Sequence, residues 1–412
     1  MLSPEQQAKI REKDASTPEA LKRDPHINYC EGWFFVTLNT RGESPILSTV
    51  VGHVGCTGAD APRCEYTELG ARVLDNIWAI PQHHPHVHIE AAEVMPEHIH
   101  ILLYLQPGNR KHLGQTIAGF MGGCTHAYWD QLGIDWHINR FDTNAYASDV
   151  PDRDRDHTHS LRGPALFVHG YNDMVPVTEA EVQTRIAYIR DQAKKRLIQG
   201  DRHKCFSIRR HQHSRHWSLD VVLRAVTSDP VLSRHAYRME EEWRDNVLPR
   251  LNMDGDNAQA HSAQTPASAS ALGLDYVGHA ALLAAPRRLP LVCHRADIHR
   301  FEEQKQAVLA AARSGAVIVS AFISPRERDI LKQLLMEQRP VIEIVDNGFP
   351  ERYKPVGQSF YACGENRLVQ ISPWTYQYRR KGIEVTRSQC LIMNELARVI
   401  SDCPDEWWKS GH

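Results

Sequence analysis

The nine cysteines form no C-x-x-C pair, and an odd count does not close into a disulfide framework. Long apolar runs are also missing: the stretch around residues 316–323 falls far short of the roughly 20 residues a membrane helix needs. Charge of one sign is not in excess, since Lys+Arg 48 against Asp+Glu 50 leave a net charge of -2. No global field therefore draws the chain to nucleic acid, and any such partner must act at a local patch. The opening residues MLSPEQQAKIREKD are charged throughout and contain no apolar signal core. These absences predict a soluble, reduced, cytoplasmic protein with no membrane partner.

What is present is enough for real cores. At 42% hydrophobic and 24% charged residues the composition excludes wholesale disorder, and 412 residues are too many for one ordinary domain. Histidine is abundant, with 24 residues, which favours metal chemistry and also multiplies chance histidine motifs.

The pattern along the chain predicts a solvated helical arm over 1–27 and a first domain over 28–216. Strands are expected at 33–38, 86–94 and 98–105, and helices at 68–79, 112–132 and 178–198, the last opening on a Thr178–Glu181 capping box. Residues 145–163 read as an acidic, His-rich insertion. A helical extension over 217–253 leads to a polar, Ala- and Ser-rich linker over 254–284. Beyond it, short apolar runs at 289–293, 316–324, 341–346 and 368–371 alternate with helical segments. That alternation predicts an α/β, Rossmann-like domain over 285–405 with a parallel sheet. It lacks a glycine-rich phosphate loop. The helix at Pro325, opened by a Ser324–Glu327 capping box, offers backbone N–H groups to an anion instead.

Three features of the first domain carry chemistry. His98 and His100 stand two apart on a strand, so both imidazoles reach one side and can converge on a metal ion while Ile99 enters the core. Of five H-x-H triplets in the chain, this one alone opens an apolar strand after a Met-Pro turn. Tyr188 and Gln192 are four apart on a helix and face the same way. A tyrosine beside a metal that polarises a phosphodiester can attack phosphorus and keep the bond as phosphotyrosine; the same spacing also suits a tyrosine packed on the sheet. Finally, residues 185–215 hold ten Lys or Arg and two acids. This is a candidate phosphate track, with Phe206 and Trp217 as stacking positions. It nominates Arg185, Arg190, Lys194, Lys195, Arg196, Lys204, Arg209 and Arg210 for DNA binding.

Taken in order, the strand with Thr40-Arg41-Gly42, the segment ending Asn76-Ile77-Trp78-Ala79-Ile80-Pro81, residues 94–102, the helix 113–128, Gly170-Tyr171-Asn172-Asp173 and residues 186–192 resemble the HUH single-tyrosine transposases, both insertion-sequence and REP-associated members. The resemblance spans about residues 28–200. It implies an α+β domain, a small antiparallel sheet with helices on one face. It further implies Mg²⁺ or Mn²⁺ held by His98, His100 and Gln192, and Tyr188 as the nucleophile of a transposase or endonuclease. The DNA would be single-stranded and beside a hairpin, with cleavage leaving a 5′-phosphotyrosine. Whether the Tyr188 helix serves its own site or that of a second copy in a homodimer stays open.

The chain departs from that family at Glu97, where it usually has Asn, and at Gln192-Ala193 in place of Asn-Pro. The alternatives are a domesticated REP-associated-type enzyme acting on host repeats, a catalytically silent DNA-binding protein, and a nucleotide sensor built on the second domain. That domain weakly resembles the Rossmann-type domain of DNA-processing protein A.

Overall fold

The computed structural model describes residues 26–135, 163–218, 271–374, 376–378 and 385–410. The arm up to residue 25, the insertion to residue 162, the extension from residue 219 and the linker to residue 270 lie outside the described residues. The chain divides into two compact units, Met1–Leu197 and Ile198–His412.

The first unit is built on a sheet of β1 (Gly32–Asn39), β4 (Val87–Val94), β5 (His98–Leu105) and β6 (Asn172–Met174), in the order β4-β5-β1-β6 with every pairing antiparallel. A separate hairpin of β2 (Ser48–Val51) and β3 (Arg63–Tyr66), absent from the sequence expectation, precedes α1 (Glu68–His83). Thr67 caps α1 by accepting from the Gly70 N–H at 3.0 Å. A Cβ on Gly70 would lie 1.8 Å from the Leu47 carbonyl oxygen, so only glycine lets this helix approach so closely.

Alternation along β1 and β5 sorts their side chains between two faces. Phe34, Val36, Leu38, Ile99, Ile101 and Leu103 enter a core with Leu69, Val73 and Ile77 of α1 and Leu113 and Ile117 of α2 (Leu113–Gln131). Each such buried side chain stabilises the fold by about 1.5–3 kcal/mol. The opposite face is also covered. Phe35 and Leu102 pack against Val182, Ile186 and Ile189 of α3 (Glu179–Arg190). Helices on one face only were expected. β5 is apolar on both sides, with Leu102 fully buried opposite Ile101, and so requires cover on both.

The predicted capping box opens α3: the Thr178 hydroxyl accepts from the Glu181 N–H, and the Glu181 carboxylate accepts from the Thr178 N–H. The helix does not run unbroken to 198. Asp191 ends it, and α4 (Gln192–Gly200) begins at the next residue.

The second unit contains the short helix α5 (Arg202–Cys205) and a six-stranded sheet. Its strands are β7 (Arg209–Ser218), β8 (Ala271–Gly278), β9 (Arg288–Pro290), β10 (Val317–Ser320), β11 (Val341–Ile344) and β12 (Leu368–Ser372), in the order β7-β8-β12-β11-β10-β9. The last four are mutually parallel, as the strand–helix alternation predicts, while β8 runs antiparallel to both β12 and β7. The connecting helices are α6 (Phe301–Arg313), α7 (Pro325–Met336) and α8 (Gln358–Gly364), and α9 (Arg387–Ser401) follows β12. Ile392, Met393, Leu396 and Ile400 of α9 share one core with Val317, Val319, Ile342, Ile344, Val369 and Ile371.

Two sequence boundaries are corrected here. Residues 209–218, placed at the end of the first domain and the start of the helical extension, form a strand of the second sheet. Residues 271–284, placed in the linker, form β8 and a 3-10 turn. The pairing is fixed in part by Arg210, whose guanidinium donates to the buried Asp275 carboxylate at 2.6 Å and to the Phe349 carbonyl at 2.8 Å. Gly278 has φ +103°, and a Cβ there would lie 2.3 Å from the Leu368 carbonyl oxygen. At the start of α7 the Glu327 N–H donates to the Ser324 hydroxyl at 3.2 Å, closing the expected capping box. The Glu327 carboxylate already accepts from the Ser324 and Cys293 N–H groups, both at 2.9 Å.

Candidate active site

The face of the first sheet that carries Phe35 also carries Thr37, His98 and His100. In the antiparallel register Thr37 lies opposite His100 and Asn39 opposite His98. The two imidazoles are 4.8 Å apart between centroids, edge to face. The turn before them is pinned by Thr40, whose N–H and hydroxyl both donate to the Glu97 carbonyl, at 2.9 and 3.0 Å.

His100 is buried at 5% exposure. Its Nδ1 lies 3.0 Å from the Thr37 hydroxyl, while Nε2 has no hydrogen-bond partner among the described residues. Burial pushes the ring's pKa down to about 3, reinforced by the charges of His98 and Lys195 and partly opposed by a hydrogen-bonding interaction with the Gln192 side chain. The ring is therefore neutral at physiological pH, with Nε2 buried. A neutral imidazole with one nitrogen engaged is what a divalent cation takes as a ligand. His98 is also lowered by burial, against the pull of Glu97, whose carboxylate is 3.5 Å from its Nδ1. Gln192 is 4% exposed and anchored by its amide N–H, which donates to the Tyr188 carbonyl at 3.0 Å. These three side chains fit a divalent cation bound through two imidazoles and an amide. Among the described residues no cluster of three or more His, Cys, Asp or Glu is placed to hold one.

Tyr188 projects from α3 into the same place. Its ring meets His100 edge to face at 5.4 Å and Phe35 at 5.8 Å, within one chain. The Lys195 ammonium donates to its hydroxyl at 3.1 Å and lies 4.4 Å from its ring centroid. The break at Asp191 keeps Tyr188 and Gln192 on neighbouring turns: Asp191 N–H donates to the Ala187 carbonyl at 3.0 Å, and Lys195 N–H to the Asp191 carbonyl at 2.8 Å. Tyr171, the other tyrosine of the motif set, belongs to the core on the opposite side of the sheet.

The eight nominated cations are divided between the two units. Arg185, Arg190, Lys194, Lys195 and Arg196 belong to the first unit, and Lys204, Arg209 and Arg210 to the second. Arg185 stacks over Phe35 at 5.4 Å. Lys194 is 3.4 Å from Asp191 and Lys204 is 3.2 Å from Asp201. Arg210 is committed to Asp275 and Phe349, while Arg190 and Arg209 are exposed. Arg196 grips Glu97 with two donors, at 2.8 and 3.4 Å, so the unusual carboxylate beside His98 is already paired. Phe206 is buried against Phe360 at 5.2 Å and is no stacking platform. The side chain of Trp217 lies outside the described residues.

Sequence reasoning missed Thr37, the Glu97–Arg196 pair and the seat of Lys195. Only the strand register could have supplied the first, and the other two depend on tertiary placement.

No family model matches the chain, and no curated protein matches it. Parts of it are similar to solved structures. One is a REP-associated tyrosine transposase bound to a REP hairpin (14% identity, 42% of this chain and 74% of that one, TM-score 0.26). Another is a protein of Deinococcus radiodurans R1 provisionally named a transposase (15% identity, 42% and 98%, TM-score 0.23). A third is DNA-processing protein A of Helicobacter pylori, solved for its single-stranded DNA binding (19% identity, 32% and 57%, TM-score 0.24).

Proposed function

We propose that the first unit is an HUH-type single-strand DNA transposase or endonuclease that cleaves and rejoins DNA through Tyr188. The observation that carries this reading is the meeting of the Tyr188 ring with a buried, neutral His100 whose Nε2 is unpartnered, beside His98 and Gln192. His98, His100 and Gln192 would hold Mg²⁺ or Mn²⁺, which supplies Lewis acidity at the scissile phosphate. Imidazole ligands suit manganese better than magnesium.

Tyr188 attacks phosphorus: its oxygen forms the new P–O bond, the P–O3′ bond breaks, and the freed 3′ oxygen takes up a proton. The product is a 5′-phosphotyrosine, and attack by a 3′-hydroxyl reverses the step. Thr37 holds the His100 ring in place, and Gln192 ties itself to the backbone of the residue that attacks. The substrate class is single-stranded DNA next to a hairpin, with Arg190, an exposed cation on the Tyr188 helix, as a phosphate contact. The second unit, with its four parallel strands, is read as a Rossmann-like accessory domain.

The test uses single-stranded oligonucleotides tiled from the DNA flanking the gene, incubated with Mn²⁺ or Mg²⁺ and run on a denaturing gel. A covalent protein–DNA band is expected from the wild type and is expected to disappear in both Tyr188→Phe and His100→Ala. A band that survives Tyr188→Phe overturns the nucleophile. Tight, metal-independent binding without any band favours the silent DNA-binding protein.

A further inference from the structure

We propose that Lys195 is a catalytic residue, whose ammonium supports the Tyr188 oxygen as negative charge arrives on it and leaves it. This rests on the reading of Tyr188 as the nucleophile. The basic run nominated Lys195 as one phosphate contact among many, but its surroundings set it apart. Its neighbours in sequence are matched to carboxylates, Lys194 to Asp191 and Arg196 to Glu97. Elsewhere Arg72, Lys305 and Arg313 likewise meet Asp130, Asp329 and Glu337. Lys195 instead donates to an uncharged phenol oxygen at 3.1 Å, with its ammonium 4.4 Å from the same ring.

It stands seven residues after Tyr188, two helical turns on, and the backbone bond from its own N–H to the Asp191 carbonyl holds it across the break between α3 and α4. Lys195 is only partly exposed, which strengthens a fixed charge relative to one in water. A preorganised cation on the reacting atom lowers the barrier only to the extent that charge develops there.

In the forward step the phenolic proton passes to solvent, the Tyr188 oxygen bonds to phosphorus and the 3′ oxygen departs with its electron pair to be protonated. In the reverse step the 3′-hydroxyl attacks, and Tyr188 departs as a phenolate that the ammonium holds until solvent protonates it. Lys195 exchanges no proton in either step.

The experiment compares wild type, Lys195→Gln and Lys195→Arg, each checked for an unchanged melting temperature. With EDTA present and no DNA, acetylation of Tyr188 by N-acetylimidazole is followed by peptide mass spectrometry. It is expected to slow severalfold in Lys195→Gln and to recover in Lys195→Arg. Oligonucleotide affinity and its salt dependence, also in EDTA, are expected to stay within about twofold of wild type. The single-turnover rate of adduct formation at saturating DNA, and the rate of resealing, should both fall at least ~10-fold in Lys195→Gln.

Weaker binding with a shallower salt slope, but wild-type acetylation and saturating rate, makes Lys195 a phosphate contact and overturns the proposal. A Tyr188-dependent adduct formed at the wild-type rate by Lys195→Gln brings down Lys195 alone. A wild type that forms no adduct, or one whose adduct survives Tyr188→Phe, brings down the Tyr188 reading and the role of Lys195 with it.

Discussion

Each unit holds a cluster of polar side chains against its sheet, and the two clusters end differently. In the second unit Tyr353 donates its hydroxyl to the Gln370 amide oxygen at 2.8 Å, and the Gln370 amide N–H donates to the Glu343 carboxyl at 2.6 Å. Burial pushes Glu343 upward, and Gln370 partly offsets it. Each donor in that chain ends on an acceptor. In the first unit Thr37, His100 and Gln192 are equally enclosed, yet the chain of contacts stops at an unpartnered imidazole nitrogen with a tyrosine ring beside it. A closed polar network holds a fold in one arrangement, whereas an open-ended one leaves a polar atom able to take a ligand. Under the proposed function, that difference is what sets the Tyr188 cluster apart from the Tyr353 one.

The largest expected effect breaks the comparison at its open end. His100→Leu should abolish adduct formation, by more than about 100-fold, while lowering stability by only about 1 kcal/mol, the cost of stranding the half-buried Thr37 hydroxyl that meets Nδ1. Gel assay and chemical denaturation read the two quantities. A large loss of stability would show His100 to be a structural residue. The mirror experiment is Gln370→Leu, which strands the Tyr353 hydroxyl and the Glu343 carboxyl together. It should cost about 1–3 kcal/mol in the same denaturation measurement and leave adduct formation unchanged. If both variants behave alike, the distinction between closed and open networks fails.

The parts of this contrast that local pattern encodes were legible. The strand with His98 and His100, the boxes at Thr178–Glu181 and Ser324–Glu327, and the alternation that builds the parallel strands are each set within a few residues. Other parts depend on partners far away in sequence. β7 reads RRHQHSRHWS, a polar edge strand with no apolar alternation, and its partner β8 was hidden behind a low-complexity stretch. Their link, Arg210 to Asp275, spans 65 residues. The basic run is visible residue by residue, while the acids that pair with Arg196 and Arg210 come from elsewhere in the chain. Thr37 became part of the site only through register, and helices on both faces followed from a strand whose two sides are apolar.

A smaller effect sharpens the comparison inside the first unit. Glu97 sits beside His98, and its charge is held by Arg196, whose side chain is 49% exposed against 17% for Glu97. Arg196→Gln leaves that carboxylate uncompensated next to the imidazoles. Mn²⁺ affinity, measured by titration calorimetry, should rise about threefold, with a stability cost below about 1 kcal/mol. Unchanged affinity would mean that Glu97 does not act on the site through His98.

The smallest effect lies in the second unit, where ions are matched to ions. His294 donates from Nε2 to Asp405 at 2.6 Å, and Arg398 donates to the same oxygen at 3.0 Å. The bond to Asp405 raises His294, against the opposing effect of burial. Burial alone would raise Asp405, but the bonds from His294 and Arg398 outweigh it and hold its carboxyl well below the usual carboxylate range. A raised histidine stabilises the fold below its unfolded value of 6.5, and that contribution is lost as pH climbs through the folded one. A depressed aspartate stabilises above its unfolded value of 3.8, and its contribution is lost as pH falls through the folded one. Both contributions are present together between about pH 4 and 6.5. The His294 side chain is 42% exposed, so solvent screening keeps its share below about 1 kcal/mol. His294→Asn should therefore lower the melting temperature at pH 5.5 more than at pH 8.5, by a few degrees at most. An equal drop at both pH values would mean that His294 contributes by packing rather than by charge.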